Sequence, residues 1–110
     1  MDSTSSPPSM PMPDLNETEW EVLYLLYDAL NQLRKLTLSF SELRYLAVEH
    51  TEEQLREAVE HLLKEGPGGR PPLIVQVPNL AGIPIYRITP EGRDLVKRRK
   101  NLPTGAGPRT

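Results

Sequence analysis

The stretch from Thr51 to Lys100 constrains the fold more than any other part of the chain, because the spacing of its apolar residues changes twice. Residues 55–63 carry apolar side chains at the i, i+3, i+4, i+7 and i+8 positions, which predicts one face of a helix. Two short runs rich in β-branched residues follow, 73–77 and 83–88, and they predict a hairpin. The dipeptide Thr89-Pro90 then has the residue types of an N-cap and a first helical position.

Each of the three helices expected before the hairpin begins with a capping box, in which a polar residue is followed three positions later by Glu or Gln. The second of these helices should cover about residues 41–47, with Leu43 and Leu46 facing inward. The third should stop at Gly66 as the residue after its C-cap. Residues 36–38 alternate and predict a short extended segment that pairs with the hairpin. The capping pairs are Asn16 with Glu19, Ser39 with Glu42, and Thr51 with Gln54.

Composition limits the folded part of the chain and its surroundings. Residues 1–13 and 101–110 are rich in Pro, Gly, Ser and Thr, so we expect disordered tails around one domain at 14–100. The chain has no cysteine, which is typical of a reducing cytoplasm. No apolar run approaches the roughly 20 residues of a membrane span, and the N-terminus lacks the pattern of a signal peptide. We therefore expect a cytoplasmic protein with no membrane partner.

Two motifs in the second half of the chain carry a resemblance to a known family. The third predicted helix ends in Leu62-Leu63-Lys64-Glu65-Gly66, and the second strand runs into Tyr86-Arg-Ile-Thr-Pro-Glu-Gly92. From about Leu15 to Lys100 the chain resembles a winged helix-turn-helix domain and is similar to MarR- and PadR-type bacterial transcriptional regulators. The resemblance implies a mainly α fold with a small β-hairpin, in the order α-α-α-β-β-α. It also implies transcription regulation through binding of double-stranded DNA.

The resemblance assigns candidate DNA contacts. In the family the third helix enters the major groove, which implies reading contacts from Thr51, Gln54 and Arg56. Basic residues of the last strand and the last helix are candidates for phosphate contact. The same residues are also explained as a solvated helix end that complements the helix dipole, and both interpretations stay open. These residues are Arg87, Arg93, Lys97, Arg98, Arg99 and Lys100.

Charge is divided unevenly along the chain. Residues 1–69 hold thirteen Asp or Glu against five Lys or Arg, whereas residues 70–110 hold two against eight. Such an asymmetry indicates a basic surface for an anionic partner, or two complementary surfaces that meet, or simply an uneven distribution.

An alternative function uses the same fold without DNA. The outward face of the third helix is expected to carry Glu53, Glu57, Glu60 and Lys64, and its three carboxylates repel phosphate. The turn of the hairpin carries Leu80 and Ile83, where wings that bind DNA usually have Lys or Arg. The three glutamates and these two apolar residues are candidates for a protein-binding surface, so a winged helix that contacts a protein partner is the second hypothesis.

The first helix carries an aromatic row. Trp20, Tyr24 and Tyr27 follow the i, i+4, i+7 spacing of one helix side. The row is explained either by packing within the domain or by a homodimer interface, since large amphipathic rings are enriched at interfaces. A two-fold dimer would also place two third helices for adjacent half-sites, so we expect homodimerisation to accompany DNA binding.

The sequence contains no recognisable catalytic pattern. His50 and His61 are the only histidines, and their spacing is not that of a metal-binding pair. The glycines at 66–69 lack the preceding strand and following helix of a phosphate-binding loop. We therefore expect no enzyme activity, no cofactor and no metal site.

Overall fold

The computed structural model describes residues 15–101, so the expected tail at 1–13 lies outside the described residues. Of the expected tail at 101–110, Asn101 is the last residue of a helix, and 102–110 lie outside the described residues. Within residues 15–101 the fold is mainly helical with a small antiparallel sheet, as the sequence predicts. The elements are α1 (Glu17–Gln32), β1 (Leu38–Ser39), α2 (Phe40–Leu46), α3 (Glu52–Leu63), a 3-10 turn (Pro67–Gly69), β2 (Ile74–Val77), β3 (Ile85–Ile88) and α4 (Pro90–Asn101). No helix among these residues is long and apolar enough to cross a membrane.

The sheet has the strand order β1-β3-β2, and both pairings are antiparallel. The predicted extended segment does pair with the hairpin, although it is shifted to Leu38 and Ser39, opposite Tyr86 and Ile85. Pro84 stands just before β3, where its missing N–H does not interrupt the ladder. Its carbonyl oxygen accepts a hydrogen bond from the backbone of Phe40 at 3.3 Å, which ties the hairpin to the start of α2.

All three predicted capping boxes are present at the starts of α1, α2 and α3. In each box the side chain of the N-cap residue accepts from the backbone three positions on, and the side chain at that position accepts from the N-cap backbone. The two orphan donors of the first turn are therefore satisfied by residues within four positions of each other. This locality explains why the helix starts are readable from sequence.

The end of α3 differs from the prediction of a glycine after the C-cap. The helix ends at Leu63, and Lys64 already has an extended backbone. Gly66 has φ −91°, which is not the left-handed conformation that such a cap requires, so this prediction is wrong. The physical reason is the tight loop that follows, in which the Gly66 N–H donates to the Arg70 carbonyl at 2.8 Å.

Helix α1 lies at the centre of the domain and packs against α3, α4 and β3. This position explains why its apolar residues exceed one stripe. The core residues with the largest fully buried side chains come from helices and sheet alike; they are Leu23, Leu43, Leu55, Leu62, Leu73, Ile74, Val22 and Val96.

Helix α4 is held close to the sheet by the residues of the Tyr86–Gly92 motif. The Thr89 hydroxyl donates to the Pro72 carbonyl at 3.0 Å and accepts from the Gly92 N–H at 3.0 Å. A Cβ atom on Gly92 would lie 2.4 Å from the carbonyl oxygen of Leu73. Only glycine therefore allows α4 to approach the start of β2 so closely.

Candidate functional site

The outer face of α3 carries an acidic stripe, which we define as Glu53, Glu57 and Glu60. All three side chains are exposed, while Leu55 and Leu62 on the opposite face are buried. Their i, i+4, i+7 spacing places the carboxylates along one line about 10 Å long. Residues of the stripe and of the first turns of α3 line an open surface depression; they are Thr51, Glu53, Gln54, Arg56, Glu57 and Glu60.

The residues proposed to read DNA bases are brought together at the start of α3, with exposed side chains that contact the chain itself. The Thr51 hydroxyl accepts from the Gln54 backbone at 3.1 Å, and the Gln54 side chain accepts from the Thr51 backbone at 2.9 Å. The Arg56 guanidinium forms an ion pair with Glu52, one helical turn earlier. The one cation among these three residues thus already has a carboxylate partner, which Arg44 also contacts.

Phe40 connects α3 to the hairpin. The guanidinium carbon of Arg56 lies 5.2 Å from the centre of the Phe40 ring, and the Phe40 N–H donates to Pro84 at the base of the hairpin turn. Burial raises the pKa of the Tyr86 phenol in β3, and the charge of Arg56 partly offsets that shift. The start of α3 and the base of the hairpin therefore share contacts around Phe40 and Arg56.

The hairpin turn presents an apolar tip, which we define as Leu80 and Ile83. Leu80 is fully exposed and Ile83 is about half exposed. The Asn79 side-chain oxygen accepts from the backbones of Ala81 and Ile83 at 3.0 and 3.3 Å, and Gly82 has φ +69°. These hydrogen bonds fix the backbone of the turn through the Asn79 side chain, and the side chains of Leu80 and Ile83 are left exposed.

The six basic candidates are divided by the structure. Arg87, on the outer side of β3, is exposed, as are Arg93 and Lys97 one turn apart on α4. Arg99 and Lys100 instead lie on the aromatic row of α1, and Arg98 is half-buried. Five of the six side chains are therefore exposed, and two of these five, Arg99 and Lys100, already contact aromatic rings of the same chain.

The aromatic row is largely covered by its own chain. Trp20 is only 8% exposed, and its ring centre lies 6.2 Å from that of Tyr24. Tyr24 and Tyr27 are half-buried and pack against the core. Lys100 lies 5.0 Å from the centre of the Tyr27 ring. The part of the aromatic row that a second copy could contact is the remaining exposed surface of Tyr24 and Tyr27.

Both histidines bind the first turn of α1. His50 Nδ1 lies 3.1 Å from the Thr18 hydroxyl, and His61 Nδ1 lies 2.8 Å from the buried carboxylate of Glu19. Their contacts link α1 to α3 and to the turn before α3. No group of three or more His, Cys, Asp or Glu suited to a metal ion occurs among residues 15–101.

Sequence reasoning missed a second exposed apolar cluster, which we call the turn patch: Tyr45, Leu46 and Val48. Leu46 was expected to face inward but is 43% exposed, because the seven-residue α2 buries only Leu43 of its own residues. Tyr45 is 80% exposed and Val48 is 79% exposed. The only signal in the sequence is that three large apolar residues fall within four positions at a helix end.

No family model matches this chain, and comparisons with curated proteins and with solved structures gave no match. The surfaces above are therefore the basis for assigning a function.

Proposed function

We propose that this chain is a winged helix that serves as a protein-interaction module, with a basic partner surface docking on α3. The observation that carries the proposal is the acidic stripe, three exposed carboxylates on the outer face of α3. In a winged helix this is the face that would meet DNA phosphates. The three strands and four helices, with β1 pairing to the hairpin, support the winged-helix assignment.

Electrostatics favour a protein partner over DNA at this face. Each carboxylate of the stripe repels a polyanion, so docking on phosphate would lose affinity instead of gaining it from counterion release. Arg56 does not compensate, because it is a single cation beside three carboxylates and is itself paired with Glu52. A partner rich in Lys or Arg would gain both association rate and specificity from the same carboxylates.

The apolar tip gives the partner a second type of contact. Leu80 and Ile83 lie on a turn whose base contacts Phe40, the first residue of α2. The guanidinium of Arg56 lies over the ring of the same Phe40. Exposed apolar side chains flanked by charge are typical of protein-contact surfaces.

The test is an affinity pull-down with the tagged chain, run with and without nuclease and read by mass spectrometry. The stripe variant carries Glu53→Lys, Glu57→Lys and Glu60→Lys. A control variant with the same change in charge reverses three exposed carboxylates elsewhere, with Glu17→Lys, Glu91→Lys and Asp94→Lys. We expect nuclease-resistant partners that the wild type and the control recover and the stripe variant loses.

A second candidate function is DNA binding through Arg87, Arg93 and Lys97, whose side chains are exposed on β3 and α4. These residues would contact phosphates, and affinity would then fall steeply with salt. Homodimerisation through the free surface of Tyr24 and Tyr27 belongs to this candidate, because paired half-sites need two copies. Light scattering of the wild type and of Tyr24→Glu measures this homodimerisation. A dimer mass for the wild type and a monomer mass for Tyr24→Glu would support the DNA-binding candidate.

A further inference from the structure

The turn patch is the most concentrated exposed apolar feature of α2 and the turn that follows. Single apolar residues at a surface are ordinary, but Tyr45, Leu46 and Val48 lie within four positions and are all exposed. The fold does not need their exposure, because Leu43 and Ala47 already supply the buried contacts of this segment. A partner that covered the patch would remove this apolar area from water.

The patch lies next to the start of α3, from which the acidic stripe runs along the helix. Arg44, next to Tyr45, lies 3.6 Å from the carboxylate of Glu52 at the start of α3, so the two helix ends are side by side. Glu49 follows Val48 directly and is exposed. Arg44 and Arg56 are the cations at this edge, and both lie against the Glu52 carboxylate. The surface around the patch is therefore apolar at one end and negatively charged along α3.

We propose that the docking segment of the partner is a basic amphipathic helix, with its apolar side chains on the turn patch and its Lys or Arg side chains along the acidic stripe. This inference rests on the proposed function and specifies its partner. A helix fits better than an extended segment, because basic side chains at the border of its apolar face can reach the stripe while that face covers the patch. Alternation in a strand would put every basic side chain on the face opposite the apolar ones. On a helix, basic residues at i, i+4 and i+7 repeat the spacing of the three carboxylates.

The probe is a fluorescein-labelled 18-residue peptide of Leu, Lys and Ala with an amphipathic helical pattern, titrated with the full chain and read by fluorescence anisotropy. A second peptide replaces each Leu with Ala and keeps every Lys. The protein variants are Tyr45→Ser with Val48→Ser on the patch, and Leu33→Ser with Leu36→Ser as a control. The control residues are also exposed apolar residues, but they lie in the connection between α1 and β1. Circular dichroism melting confirms that both variants fold.

We expect the patch variant to bind the Leu peptide about tenfold more weakly than the wild type does, because two apolar contacts are removed. The control variant should bind it as the wild type does. The Ala peptide should bind weakly and should not distinguish the proteins.

Equal affinity of the wild type and the patch variant would overturn the inference, as would equal affinity for the two peptides or no binding of the Leu peptide to the wild type. The stripe variant separates this result from the proposed function. The stripe reversal could abolish partner recovery in the pull-down while the patch substitutions leave recovery unchanged. In that case the protein-interaction function stands, and the proposal that the partner docks through an amphipathic helix fails. If neither set changes recovery, both proposals fail.

Discussion

The guanidinium carbon of Arg99 lies 4.3 Å from the centre of the Trp20 ring and 5.7 Å from that of Tyr24. Lys100 continues the contact, with its amine 3.5 Å from the carboxylate of Asp28 in α1. The basic end of α4 is thus held against the aromatic row of α1. Two features that the sequence presents as separate binding surfaces are partly complementary to each other within one chain.

We expect Arg99→Ala to lower the free energy of unfolding by about 1 kcal/mol, because a cation over an aromatic ring at a partly exposed site contributes about that much. Arg93→Ala, an exposed arginine on the same helix, is the control and should change it by less than about 0.5 kcal/mol. Urea denaturation followed by Trp20 fluorescence measures both. Equal effects of the two substitutions would contradict the role given to Arg99.

Gly92→Ala should destabilise the domain by about 2 kcal/mol or more, because the new Cβ would overlap a backbone oxygen that cannot move aside easily. The direction of the change in unfolding free energy is informative, since Gly→Ala inside a helix normally stabilises a protein by about 0.5–1 kcal/mol. Asp94→Ala on the exposed side of α4 is the control. A stabilised Gly92→Ala protein would mean that α4 does not pack on Leu73 as described.

His61→Ala should lower the free energy of unfolding by about 1–2 kcal/mol, because one oxygen of the buried Glu19 carboxylate loses its hydrogen-bond partner. Glu19 would keep the bond from the Asn16 backbone at 2.9 Å but lose the 2.8 Å contact with His61. Glu60→Ala, on the residue before His61 and exposed, is the control. Thermal unfolding in parallel measures the difference, and identical melting temperatures would show that the His61 contact contributes nothing.

Stability should fall in acid partly through Glu42. The hydrogen bond from Lys35 lowers the pKa of this carboxyl below its ordinary value of 4.5, and the bond from the Ser39 backbone acts in the same direction. The ionised Glu42 carboxylate therefore stabilises the fold at pH values above 4.5, the pKa of this group in the unfolded chain. This stabilisation is lost as the pH falls through the lower pKa that Glu42 has in the folded protein. Glu42→Gln keeps an acceptor for the capping box but removes the charge.

The difference in unfolding free energy between wild type and Glu42→Gln should accordingly shrink as the pH is lowered from about 6 to about 3. The effect should be small, because both side chains of the pair are more than one-third exposed. Glu65→Gln, also exposed, gives the background change. A difference that is constant over this range would contradict the assignment.

Much of the fold is local and was predictable for that reason. The capping boxes at Asn16, Ser39 and Thr51 use residues three positions apart, and the hairpin strands follow from β-branched runs. The end of α3 was not predictable, because it depends on the contact of Gly66 with Arg70 across a loop.

The surfaces were harder to predict than the elements. The acidic stripe follows from helical spacing, since the buried positions of α3 fix which residues face outward. The contact of Arg99 with the Trp20 ring depends on how α4 packs against α1. The exposure of Tyr45 and Val48 likewise depends on how the helices pack in three dimensions. No periodicity within one helix carries that information.

Binding to a labelled DNA duplex of roughly 20 base pairs at about 50 mM salt distinguishes the protein-interaction function from DNA binding. Fluorescence anisotropy compares the wild type with the stripe variant. We expect no saturable binding by the wild type and a gain of binding when Glu53, Glu57 and Glu60 become Lys. Saturable wild-type binding that weakens steeply with salt, and that is lost on changing Arg87, Arg93 and Lys97 to Ala, would contradict the protein-interaction function and establish DNA binding instead.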